Sequence, residues 1–330
     1  MKQTLTIYLN VNEMAHELKQ QLLDLLKNDN IHIKKGWENG THLVLYGFSA
    51  DELKKVKERL SNILEKYPTK LYDVDNYKKV YSKVNEKFYQ NKYDLSNIYQ
   101  NTIIERNHIP LSNLENINQK KLYLRIDKKL DNLFAEFYFK PKVLLEILEL
   151  LLDFTLKFDE FWKENYSYSL KLFNPYVSHL SHFTGFVNSL NEMESDIIYN
   201  EFEERHDYNG NYIPKRNELF NSFLEIFSMV EEMIINKEIN FFSPYKLEVI
   251  LEGIDNENLA LGHAKIYNNP QLINEMNVNT PLIVNKWFLN ILYEKLLLMN
   301  INVKDKYYLN YSISMTYYGN ILRGRLDGVR

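Results

Sequence analysis

One helix start can be read almost to the residue, and it constrains the fold of everything around it. Ser49 is followed three positions later by Glu52, and beyond them Leu53, Val56, Leu60, Ile63 and Leu64 recur at helical spacing. This is the pattern of a hydroxyl N-cap paired with an acidic third helical residue. The helix is therefore expected over residues 49–67. It follows directly on the apolar stretch 41–46, which lies between Gly40 and Gly47, so a strand runs straight into an amphipathic helix. Upstream the alternation repeats, with a strand at 5–9, a helix at 13–26 and a short strand at 31–33. Residues 1–67 predict a small α/β layer.

Residues 68–120 carry scattered tyrosines, among them Tyr81, Tyr89, Tyr93 and Tyr99, without clear periodicity. They predict a loop-rich segment around one or two short helices that line or cover a pocket. The stretch Lys121-Leu122-Tyr123-Leu124-Arg125-Ile126-Asp127 alternates apolar and polar residues, as a half-buried strand does. Helical spacing returns at 143–161, and residues 177–205 predict one long helix opened by Pro175. A polar link at 206–214 leads to a helix at 217–235. Two strands at 245–251 and 259–267 flank the turn 253–258 as a late β-hairpin. A strongly apolar helix at 281–299 and an aromatic-rich one at 304–323 complete the chain. The tail 322–330 is basic and glycine-bearing, expected to be flexible and suited to holding an acidic peptide. The expected class is α+β: one unit over residues 1–330 with an N-terminal α/β layer, a large helical portion over 121–330, and strands near 245–267.

Composition removes several kinds of chemistry. With 45% apolar and 14% aromatic residues the chain is able to bury a large core. Lys+Arg 40 against Asp+Glu 44 leaves a net charge of −4, so no basic excess points to nucleic acid. With Cys 0 there are no disulfides, thiol nucleophiles or thiolate metal sites, and catalysis must use oxygen and nitrogen groups. The first residues lack the pattern of a signal peptide. The longest apolar stretch, 143–152, contains Glu146 and Glu149 and is too short to span a bilayer. A cytoplasmic protein with no membrane partner is expected. No phosphate loop, dinucleotide fingerprint, serine elbow or zincin motif is present, and neither metal nor cofactor is expected.

The densest cluster of hydrogen-bonding side chains is Phe173-Asn174-Pro175-Tyr176-Val177-Ser178-His179-Leu180-Ser181-His182-Phe183. On a helix His179 and His182 share a face, with Ser178 and Ser181 on the neighbouring strip. Near a helix start the local positive dipole favours a neutral imidazole able to take or give a proton. Two core or interface histidines bonded to serine or backbone would look the same. Lys286 and Asn290 lie four apart in a helix that is otherwise apolar; either they serve a substrate or the lysine snorkels and the asparagine caps a neighbouring loop. In the last helix Tyr307, Tyr311, Ser314 and Tyr318 form one stripe, which is either core or a row of proton donors.

The segment Gly40-Thr41-His42-Leu43-Val44-Leu45-Tyr46 and the later Lys286-Trp287-Phe288-Leu289-Asn290 resemble the small elimination domain of lantibiotic dehydratases, the thiopeptide-type bacteriocin biosynthesis domain. In that family the early strand reads Gly-Pro-His-[Ile/Leu]-Arg-[Leu/Ile]-Arg and a late helix reads His-Met-x-x-Asn-Arg. Here Gly40, His42 and Asn290 are kept, Val44 and Tyr46 occupy the two arginine places, Lys286 stands in the histidine place and Ile291 in the last arginine place. The family's glutamate elimination is disfavoured, because neither Val44 nor Tyr46 can grip a carboxylate as arginine does. The resemblance points instead to the thiopeptide pyridine synthase branch. That branch joins two dehydroalanines of a ribosomally made precursor peptide by a formal aza-[4+2] cycloaddition and expels water and the leader peptide, without metal or redox cofactor. On this resemblance Tyr176, His179 and His182 are candidates for proton transfer or iminol orientation, and Tyr311 and Ser314 are further hydrogen-bonding groups. Ser178, Lys286, Asn290 and Tyr46 are substrate-binding candidates. The partners implied are the precursor peptide with its leader and other pathway enzymes. A leader-binding adaptor without catalysis, or an elimination or tRNA-dependent relative, are the alternatives.

Overall fold

The computed structural model describes residues 3–89, 93–107, 111, 114, 116–165, 175–188, 190–206, 212–239 and 269–327. The chain forms two compact units, one of Met1–Pro141 with Asn290–Asn300 and the other of Lys142–Leu289 with Ile301–Arg330.

The first unit is built on a sheet of β1 (Thr4–Tyr8), β2 (His32–Gly36), β3 (His42–Tyr46) and β4 (Thr102–Arg106), in the order β2-β3-β1-β4. All neighbours are antiparallel, with Leu5 opposite Leu45 and Ile7 opposite Leu43. Because side chains alternate across a strand, Leu5, Ile7, Ile33, Leu43 and Leu45 share one face, and all are buried. Helix α1 (His16–Leu26) packs against α2 (Ala50–Lys66), which in turn packs against β1 and β4. The other face carries His32, Lys34, His42, Tyr46, Thr4, Thr6 and Tyr8. The helix start read from the sequence is present: Glu52 N–H donates to Ser49 Oγ (3.4 Å) and Ser49 N–H donates to Glu52 Oε2 (2.9 Å). Residues 68–120 hold more regular structure than expected, since α3 (Val74–Tyr89) and β4 both fall there.

The strand expected at 121–127 is instead part of helix α4 (Ile117–Phe134). Asn116 Oδ1 accepts from Asn118 N–H and Gln119 N–H, both at 2.9 Å, and Gln119 returns a bond to Asn116 N–H. That cap fixes a helical start. Leu122, Ile126, Leu130 and Phe134 then fall at four-residue intervals on a buried stripe. Leu122 and Ile126 satisfy both periods, so a seven-residue window could not separate them.

The second unit is helical among its described residues: α5 (Leu144–Asn165), α6 (Pro175–Asn188), α7 (Glu192–Arg205), α8 (Glu218–Ile235), α9 (Pro270–Val278), α10 (Thr280–Leu298) and α11 (Val303–Asp327). The C-terminal part of α10, from Asn290, belongs to the first unit. The single helix expected at 177–205 is two helices, because Asn191 accepts Glu194 N–H (2.9 Å) in a further capping box and starts α7 afresh. The tail expected to be flexible continues α11 as far as Asp327. The hairpin expected at 245–267 lies outside the described residues. Phe154, Phe158, Phe223 and Phe288 form an aromatic core with ring centroids 4.6–5.8 Å apart. A second cluster gathers Phe183, Val187, Phe202, Tyr308 and Tyr311. Among the described residues no helix is long and apolar enough to cross a membrane.

Candidate functional site

Helix α6 packs against α11, and this pairing places most of the residues singled out by chemistry. His179 lies one turn into α6 and is 1% exposed. Its Nδ1 is 2.9 Å from Asn310 Oδ1 on α11, and since an amide oxygen only accepts, Nδ1 carries the proton and Nε2 the lone pair. The Asn310 side chain is itself held, donating Nδ2–H to Lys306 O (2.9 Å), and the Asn310 backbone carbonyl accepts Ser314 Oγ–H (2.8 Å). Burial pulls the His179 pKa down to about 4, so the ring is neutral near pH 7. The direction matches the sequence reading, but enclosure causes it.

Tyr176, one turn earlier, is buried; Ser178 and His182 are half-buried. Tyr311 is buried, its ring edge-on to Phe183 at 5.0 Å and to His206 at 5.9 Å. Tyr307 stacks on Phe186 at 4.1 Å. The side chains of Ser181 and Tyr318 lie outside those described. The α6–α11 pair thus gathers His179, Asn310, Ser314, Phe183 and Tyr311 into one buried group.

The carried-over helix positions fall elsewhere. Lys286 is half-buried on α10 and has no acidic partner among the described residues; burial lowers its pKa to about 8. Asn290, four residues on, belongs to the first unit, as does Tyr46, whose ring stacks on His32 at 5.2 Å.

Sequence reasoning missed two features. Asn310 was readable in principle, since Lys306, Asn310 and Ser314 make a polar row at four-residue spacing in an aromatic-rich helix. The other is a buried ionic cluster in the first unit. His32 Nδ1 is 2.7 Å from Asp127 Oδ2; Lys295 Nζ is 2.7 Å from Asp127 Oδ1 and from Asp131 Oδ1; and Tyr138 O–H donates to Asp131 Oδ1 at 2.6 Å. His32, Asp127 and Asp131 bring their ligand atoms within 4.8 Å of one another, as a metal site would. The cation between the two carboxylates is the Lys295 ammonium. Burial drives the Asp131 pKa up, whereas at Asp127 Lys295 and His32 outweigh burial and hold the carboxyl at about 2. Burial opposes the charge on Lys295, but the two aspartates raise its pKa. Only His32 and Lys295, 263 positions apart by their numbers, hint at how far the chain must fold to assemble it.

No family model and no curated protein matches the sequence. Among solved structures, the pyridine synthase TbtD from thiomuracin biosynthesis matches with a TM-score of 0.55 at 11% identity, over 97% of this chain and 99% of that one. The structure of TsrL matches with a TM-score of 0.57 at 12% identity, over 97% and 95% of the two chains. The chain has an α+β fold like that of a thiopeptide pyridine synthase along nearly its whole length.

Proposed function

We propose that this protein is a thiopeptide pyridine synthase, an enzyme of ribosomal peptide modification that closes a macrocycle by joining two dehydroalanines of a leader-bearing precursor. The observation that carries the reading is the fold shared with the thiomuracin pyridine synthase over 97% of the chain, alongside the strand and helix motifs around His42 and Asn290. In this reading residues 1–330 act as one elimination-domain-like unit in the cytoplasm.

The reaction is redox-neutral. An amide shifts a proton from nitrogen to oxygen, and its C=N bond with one dehydroalanine alkene makes an azadiene. The second dehydroalanine alkene adds across the two carbon ends of this azadiene, forming two C–C bonds and enclosing the nitrogen in the new six-membered ring. The iminol oxygen then leaves as water and the leader as its amide, giving an aromatic pyridine. Such chemistry asks for positioning, which can supply about 7–11 kcal/mol of barrier reduction, and for groups that hold or move a proton.

His179 suits the second task. It is neutral, and the bond from its Nδ1–H to Asn310 fixes the tautomer in which Nε2 carries the lone pair. Tyr176, His182 and Tyr311 supply further donors and acceptors. The Ser314 proton is spent on the Asn310 backbone carbonyl one turn earlier, so its oxygen serves as an acceptor. Ser178, Lys286, Asn290 and Tyr46 are assigned to substrate contact.

The test is incubation with a leader-bearing, azole-modified peptide containing two dehydroalanines, read by mass spectrometry for loss of water and release of leader amide. Both products are expected, and His179→Ala/His182→Ala should abolish the macrocycle while leaving leader binding intact. Peptide binding without turnover would sink the synthase reading in favour of an adaptor; wild-type turnover by the double variant would remove the histidines from the site.

A further inference from the structure

In the first unit the β2–β3 hairpin, α3 and the irregular segment 93–101 meet in a surface built of aromatic rings. Trp37 of the hairpin stacks on Tyr81 of α3 at 5.2 Å and 12°, and stands edge-on to Tyr93 at 5.3 Å. Tyr72 and Tyr81 both stack on Tyr77, at 5.0 and 4.3 Å. Tyr99 lies against the ring of Tyr8 at 5.0 Å and is 37% exposed. Trp37, Tyr72, Tyr81 and Tyr93 are each half-buried, so every one of them still presents surface to solvent.

Such a run of loop needs a reason to be held as tightly as it is. Asn39, in the left-handed region at φ 60, donates its amide to Asp94 O (2.7 Å) and Asn97 O (3.0 Å) and accepts Tyr99 N–H on its carbonyl (2.8 Å). Asn85 makes a two-bond clasp with the Tyr93 backbone, at 2.7 and 3.2 Å. Asn101 does the same with Thr69, at 2.9 Å both ways. Tyr77 O–H donates to Trp37 O. Burial of apolar area alone would not require this many directed bonds to a surface segment. They fix the rings before any partner arrives, which lowers the ordering cost of binding. Rigid tyrosine and tryptophan surfaces give large contact area at small entropic cost, and with arginine they are where interface energy concentrates.

An arginine stands at the edge of this surface. Arg106 is exposed at the end of β4 and donates from one terminal nitrogen to Tyr8 O–H oxygen. That bond orients the guanidinium, and among the described residues no carboxylate pairs with it. The rest of the fork is free for a bidentate carboxylate.

We infer that this aromatic surface is a docking site for an extended polypeptide segment carrying an acidic side chain, the rings receiving the backbone and apolar groups and Arg106 the carboxylate. Extended and polyproline-like segments dock on aromatic ridges in this manner. The inference rests on the proposed function only in taking a peptide as the substrate class.

Fluorescein-labelled, proline-spaced synthetic peptides with Glu, Gln or Lys at the same positions provide the probe, read by fluorescence anisotropy with the full chain. The Glu peptide should bind most tightly. Arg106→Gln should weaken it about tenfold, the cost of one charge-assisted pair, and leave the Gln peptide unchanged. Tyr99→Ser should weaken both, with thermal midpoints showing that the variants fold. Equal affinity for all three peptides, no binding, or wild-type binding by both variants would overturn the inference. The two proposals part in one comparison: macrocycle formation with unaltered peptide binding by the variants removes the surface and keeps the synthase, whereas the predicted binding pattern without turnover keeps the surface and removes the synthase.

Discussion

Enclosing an imidazole between two helices disfavours its charged form, and this gives His179 a measurable signature. Its pKa in the folded protein is about 4, against about 6.5 for an exposed histidine. Between those values the unfolded chain takes up a proton that the folded one refuses. The stabilising difference is therefore present above pH 6.5 and is lost as the pH falls toward 4, about 3 kcal/mol in all, with no further change below. Urea unfolding of the wild type should show this decline, and His179→Gln, which cannot titrate, should show a shallower one. An identical slope in both proteins would place the titration elsewhere. Lys286 stands out in the sequence as a polar group in an apolar helix and His179 as one of a histidine pair in a polar cluster, whereas Asn310, in an aromatic-rich helix, carries a polar signal of the first kind that the sequence reading does not single out. A histidine is noticed because its chemistry is familiar, whereas an asparagine is noticed only when its partner is in view.

At the level of elements, caps decided more than propensity did. The Ser49–Glu52 box was legible, and the helix begins where it says. The Asn116–Gln119 and Asn191–Glu194 boxes have the same physics but use asparagine; overlooking them turned α4 into a strand and fused α6 with α7. Loops are anchored by comparable devices. Asp153, buried on α5, accepts Tyr212 O–H (2.7 Å), Lys215 N–H (3.1 Å) and Arg216 N–H (2.8 Å), which ties the approach to α8 onto α5. Asp153→Ala would leave these donors without their acceptor at a cost of about 3 kcal/mol. Limited proteolysis should then cut within 212–217 faster than in the wild type, and Asp153→Asn, which keeps one acceptor oxygen, should fall between. Unchanged cutting in the Ala variant would show that the segment is held by other contacts.

Across the whole molecule, the first unit is completed by residues from near the other end of the chain. Lys295 bridges Asp127 and Asp131, Glu294 accepts Tyr123 O–H (2.6 Å) and pairs with Lys34 (2.7 Å), and Leu298 O accepts Phe139 N–H (2.9 Å). Removing one member of a buried ion cluster strands the others without compensation. Lys295→Met should cost about 3–5 kcal/mol and accelerate hydrogen exchange in α4 and β2. Adding Asp127→Asn and Asp131→Asn should restore part of the loss, because the stranded charges are gone. A Lys295→Met protein that melts with the wild type would show that the ion cluster adds nothing to the hold on the 290–300 segment.

The sequence by itself determined the α+β class, the α/β start of the chain, the positions of α2, α5, α8, α10 and α11, and the residues whose chemistry stood out. These follow from periodicity and capping, which act over one or two turns and are written in neighbouring residues. Only the tertiary structure decided that His179 meets Asn310, that Lys295 stands between Asp127 and Asp131, and that the tyrosines of 72–99 form one surface with Trp37. Each of these joins residues far apart in the chain, and their energies depend on burial and on distances that exist only once the unit that holds them has folded.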